Sequence, residues 1–146
     1  MAVTTQPYNH TATLINGGNI NLATLKVMLL SDGASFTAAN TELTQVTNAG
    51  AFEVSGNGWT AGGRAIANAT VTTVETSGSM LDADDIEVTA TGGPIGPAYG
   101  AVVYDDSDPD DAPLFFINFD GPKSSDDGIP FVIRWSSNGI WRVLKV

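Results

Sequence analysis

Tyr99-Gly100-Ala101-Val102-Val103-Tyr104-Asp105-Asp106-Ser107-Asp108-Pro109-Asp110-Asp111-Ala112-Pro113-Leu114-Phe115-Phe116-Ile117-Asn118-Phe119 carries two apolar runs joined by an acidic loop. Both runs are apolar at odd and even positions alike. Successive side chains on a strand point to opposite faces, so strands of this kind are covered on both sides. The cover is either the interior of a sandwich or a partner subunit.

Working outward, Leu25-Lys26-Val27-Met28-Leu29-Leu30 predicts a third strand of this type, closed by Ser31-Asp32-Gly33. The stretch from Ala65 to Val74 alternates instead, with Ala65, Ala67, Ala69 and Val71 on one parity and Asn68, Thr70 and Thr72 on the other. That period predicts one long strand with its odd positions inward. Asp85 to Thr91 repeats the pattern with Ile86, Val88 and Ala90 inward. At the C-terminus, Phe131-Val132-Ile133-Arg134-Trp135 and Ile140-Trp141-Arg142-Val143-Leu144-Lys145-Val146 flank Asn138-Gly139. Asn-Gly suits the positive-φ centre of a type I′ turn, so the two runs are expected to pair as a hairpin, with Trp135 stacked on Arg142.

Tyr8 to Ile15, ending at Gly17-Gly18, and Thr41 to Val46 read as short helices. Roughly seven or eight short strands with turn residues between them suit a β-sandwich. The 146 residues contain 16 glycines and 7 prolines, with no repeat or composition break. The expected fold is therefore all-β: one β-sandwich or jelly-roll-like domain over residues 1–146, with one or two short helices near the N-terminus. A chain of this length can bury roughly 70% of its unfolded surface.

Charge and inventory narrow the chemistry. Six Lys and Arg oppose 16 Asp and Glu, a formal net charge of −10. Phosphate backbones and anionic membranes would repel such a surface, so neither nucleic acid nor membrane is an expected partner. No apolar run reaches the roughly 20 residues of a membrane helix, and the first residues lack the pattern of a secretion leader. A soluble chain is expected. With no cysteine, disulfides, thiolate metal sites and cysteine nucleophiles are excluded. The one histidine, His10, has no carboxylate near it in sequence to orient it as a catalytic base, and reads as a surface or capping residue.

The remaining candidates each lack part of the pattern their chemistry needs. Asp106, Asp108 and Asp110 match the first ligand positions of an EF-hand, but Asp111 stands where glycine is required and Ile117 where glutamate is required. Neither a metal nor a cofactor is expected. Glycoside hydrolysis needs two carboxylates held on rigid elements, whereas most Asp residues here fall in loops. Val54-Ser55-Gly56-Asn57-Gly58-Trp59-Thr60-Ala61-Gly62-Gly63-Arg64 is rich in glycine but lacks the lysine and following helix of a phosphate loop. Its glycines let a loop fold closely while Trp59 fills a groove, in its own domain or a neighbour's.

That same stretch resembles a VSG-x-GY-x-x-GG signature found in a group of small tailed-bacteriophage virion proteins, with Trp59 where tyrosine is usual. The Leu25 to Leu30 strand, the Tyr99 to Asp106 and Pro113 to Phe119 segments, and the ending Asn138-Gly139-Ile140 are similar to that group in the same order. The resemblance implies a non-enzymatic structural protein located in the virion and assembled in the host cytoplasm. A capsid decoration or cement protein is the foremost role, bound to the major capsid protein or other virion proteins. A homo-oligomer, such as a trimer around a capsid axis, would follow from that role.

Cement proteins bury aromatic and apolar surface across subunit boundaries, and tryptophan and arginine dominate such contacts. Trp59, Arg64 and Trp141 are the interface candidates. The competing reading has the tryptophans filling their own core. Two further functions stay open: a tail or fibre adaptor, and a carbohydrate-binding module using Trp59, Trp135 or Trp141 as stacking platforms beside a Ca²⁺-binding Asp loop.

Overall fold

The computed structural model describes residues 4–75 and 78–144. Eleven strands occur there in the order β1 (Thr4–Pro7), β2 (Leu25–Leu30), β3 (Glu53–Val54), β4 (Arg64–Ala65), β5 (Thr70–Val74), β6 (Gly78–Asp82), β7 (Ile86–Thr89), β8 (Ile95–Asp105), β9 (Pro113–Ser125), β10 (Pro130–Ile133) and β11 (Trp141–Val143). Two short helices, α1 (Thr11–Asn16) and α2 (Leu43–Thr47), and a 3₁₀ turn at Leu22–Thr24 complete the elements. No helix among the described residues is long and apolar enough to cross a membrane.

The fold is all-β and sandwich-like. Its main layer is an antiparallel sheet in the order β1-β9-β8-β2-β3, with β4 pairing the other end of β2. Alternation along the central strands divides their side chains between two cores. Leu25, Val27, Leu29, Ala101, Val103, Phe115 and Ile117 face one side and pack with Trp59, Leu81, Ile86, Val88, Phe131 and Ile133. The last five sit on the two smaller sheets, β10-β7 and β11-β6-β5, which form the opposing layer. Met28, Leu30, Val102, Tyr104 and Phe116 face the other way and pack with Tyr8, Leu43 and Val46. The two-sided apolar runs are thus covered on both faces by the chain itself. Helix α2 supplies part of the second cover and ends at Asn48 in the left-handed conformation, φ 50°.

Two expected elements come out differently. Ala65 to Val74 is not one strand. Asn68 adopts φ 54° and its side chain donates to Asp84 Oδ2 at 2.7 Å, so the chain turns between β4 and β5. Asparagine tolerates this left-handed conformation better than most residues. The parity is lost with the turn: Ile66 is buried, Ala65 and Ala67 are exposed, and Val71 is 47% exposed.

The C-terminal runs do not pair with each other. β10 pairs with β7, register Phe131 to Val88, and β11 pairs with β6, register Trp141 to Leu81. Among the described residues only a Ser136–Gly139 bridge joins them. Gly139 has φ 74°, but Asn138 is not in the positive-φ region, so the turn is not type I′. Capture by β6 and β7 places Phe131 against Trp59 and Trp141 against Phe115, contacts a local hairpin could not make. Arg142 binds Asn138 and Glu75 rather than Trp135. Residues 145–146 of the expected last strand lie outside the described residues, as do residues 1–3 at the N-terminus.

Candidate functional site

The Gly-rich loop closes on the chain's own core. Asn57 and Gly58 have φ 53° and 105°, the positive pair that a type I′ turn uses, and Gly56 and Trp59 bond each other's backbones across it. Asn57 also ties the turn to the segment after β7: Thr91 N donates to its carbonyl at 2.8 Å, and its amide donates to Pro94 O at 2.6 Å. The turn drives Trp59 inward to 1% exposure, edge-on to Phe131 with ring centroids 5.6 Å apart. Trp59 is therefore not a surface anchor. The glycines make the loop tight enough for its tryptophan to serve as a core plug.

The other two interface candidates lie elsewhere. Arg64 is half-buried on β4 opposite Val27, with its guanidinium 3.4 Å from Thr60 Oγ1. Trp141 is half-buried on β11 with its ring 5.6 Å from Phe115, so it too packs chiefly inward. These three residues sit on separate elements and form no common exposed patch.

The acidic loop is tied to the protein at several points. The Asp105 residue is 2% exposed, and its carboxylate accepts from Asn21 N, Thr24 Oγ1, Ser107 N and Ser107 Oγ at 2.7–3.0 Å. Burial alone would raise its pKa, but these donors outweigh it and hold the carboxyl below the usual carboxylate range. Asp106 pairs with Lys26 at 2.9 Å, and Asp108 accepts from Asp110 N. Asp111 is pushed up, first by burial and then by Asp106, with Lys26 opposing. His10 occupies the N-cap position of α1 without a side-chain cap bond. Its ring Nε2 instead lies 2.6 Å from Pro113 O, bracing the start of β9. Tyr104 donates to the Gly62 carbonyl, and burial raises its phenol pKa, reinforced by Asp106, Asp111 and Glu53. These groups connect elements of the sandwich.

A cavity of about 480 Å³ opens between β9 and β10. Ile117, Phe119, Phe131, Ile133 and Ile140 give it an apolar floor. Lys123 and Arg134 stand in its wall, while no aspartate or glutamate lines it among the described residues. Such a volume and lining are within the range of binding sites. Trp135 lines it too, fixed by its ring N–H on Asp84 O at 2.9 Å and by its backbone N–H on Asp85 Oδ1 at 3.0 Å.

Nothing in the linear pattern marked this site. Its two cations lie far apart in sequence, Lys123 on β9 and Arg134 just after β10, and the expected C-terminal hairpin would have placed β10 elsewhere. Compared with protein-family models, with curated proteins and with solved structures, the chain matches none.

Proposed function

We propose that this chain is a non-enzymatic structural protein of a tailed-bacteriophage virion, a decoration or cement protein that binds the assembled capsid and stabilises it. The observation that carries the reading is the open seam between β9 and β10. An apolar floor with cationic walls, on a chain of net charge −10, is suited to holding another surface by contact. Ile129, 55% exposed next to β10, extends the apolar surface beside it. The resemblance around Trp59 supports the virion setting.

The structural roles found for Asp105, His10 and Tyr104 fit a protein whose polar groups maintain shape. Trp59 contributes from inside, by anchoring the glycine loop over the core.

The test is cosedimentation of the purified protein with isolated procapsids and expanded heads, together with the temperature at which the particles open. Saturable binding that raises this temperature supports cement. Binding to tails but not heads would favour a tail adaptor, which uses the same adhesive chemistry at another location. Saturable glycan binding without capsid binding, or turnover of a sugar polymer, would overturn the proposal.

A further inference from the structure

We infer that the groove between β9 and β10 receives an extended acidic peptide segment of a partner, added as a strand along the free edge of β10. This rests on the adhesive reading above and names the partner's chemistry. The first support is geometric. Every residue from 130 to 136 lines the cavity. Alternate residues of a strand point to opposite faces, so a space touched by consecutive residues runs along the strand's edge. Among the described residues β10 pairs only with β7, which leaves its second edge without a strand partner. Adding a peptide strand to such an edge satisfies backbone donors and acceptors, while neighbouring pockets select side chains.

The second support is charge. The ion pairs among the described residues are Lys26 with Asp106 and Arg142 with Glu75. Lys123 and Arg134 have no carboxylate partner there, and both face a cavity that contains none. In a chain with 16 acidic residues and six basic ones, this pairing of unneutralised cations with an apolar floor favours a segment alternating apolar and acidic side chains.

The probe is the hexapeptide acetyl-Asp-Val-Asp-Val-Asp-Val-amide, titrated into the full chain and followed by amide NMR. Shifts are expected at residues 130–136, and the lysine counterpart of the peptide is expected not to bind. The double variant Lys123→Glu with Arg134→Glu changes side chains that make no hydrogen bond or ion pair among the described residues, so its unperturbed spectrum serves as the folding control. It is expected to bind the acidic peptide at least tenfold more weakly. A peptide N-methylated at alternate residues, with charge and side chains kept, is expected to lose at least tenfold as well.

Equal binding of the acidic and lysine peptides, or shifts away from residues 130–136, would overturn the inference. So would undiminished binding by either the double variant or the N-methylated peptide. Concentration-dependent self-association abolished by Arg134→Glu would make a second copy the occupant and also overturn it. If the peptide tests fail while capsids are still bound, only the groove assignment falls. If capsid binding fails as well, the virion reading falls with it.

Discussion

Replacing Trp59 with alanine separates a core plug from a partner-facing anchor. A tryptophan buries about 150–250 Å². At about 25 cal/mol per Å² its burial stabilises the fold by about 4–6 kcal/mol. The edge-on contact with Phe131 adds about 0.5–1.5 kcal/mol. One term opposes these: the indole Nε1 is buried without a hydrogen-bond partner among the described residues, which costs about 1–3 kcal/mol. The net expectation for Trp59→Ala is a loss of about 4 kcal/mol, in line with the about 3–5 kcal/mol typical of such truncations. For a domain of this size that lowers the melting temperature by about 8–16 °C. Trp59→Phe keeps most of the ring while removing the unpartnered N–H, and is expected to stay within about 1 kcal/mol of wild type. Urea unfolding followed by far-UV circular dichroism measures both. A Trp59→Ala protein within about 1 kcal/mol of wild type, impaired only in partner binding, would refute the plug.

Three further outcomes follow from the geometry. Asp105→Asn leaves buried donors from Asn21, Thr24 and Ser107 facing a neutral amide and is expected to cost about 2–4 kcal/mol at pH 7. Because the folded pKa of Asp105 lies below its unfolded value of about 3.9, its contribution is fully present above that pH and is lost as pH falls through the folded value. The gap between wild type and Asp105→Asn is thus expected to narrow in urea titrations below about pH 4, and a constant gap would contradict the assignment. Gly63→Ala places a Cβ 2.6 Å from Val27 O at φ 91° and is expected to cost about 3 kcal/mol, which thermal unfolding checks. Millimolar Ca²⁺ is expected to leave the melting temperature nearly unchanged, since Asp105 and Asp106 are engaged by protein donors; a rise above about 5 °C would reveal a site.

The fold class was legible because the central strands carry their two-sided burial in the sequence. Leu25 to Leu30, Val102 to Tyr104 and Leu114 to Ile117 are apolar on both parities and are covered on both faces. Ile86, Val88 and Ala90 point inward as their alternation requires. Pairing was less legible. Asn138-Gly139 has the residue types of a hairpin turn, yet the Asn-Gly pair with positive φ at both residues is Asn57-Gly58, inside the glycine-rich stretch. Local turn chemistry at 138–139 competes with long-range burial of Phe131 and Trp141, and burial prevails. The Ala65 to Val74 alternation fails because a single left-handed Asn68 resets the parity. The groove is a product of that long-range pairing: β10 joins β7 rather than β11, and Lys123 and Arg134 then flank one apolar space.

The most direct test of the proposal that this molecule works by adhering to a virus particle is a density map of purified phage particles whose genome carries this sequence. The expectation is ordered density for this sandwich on the capsid surface, with the β9–β10 groove turned toward the shell. Particles that contain no copy of the chain, confirmed by mass spectrometry of the same preparation, would contradict it.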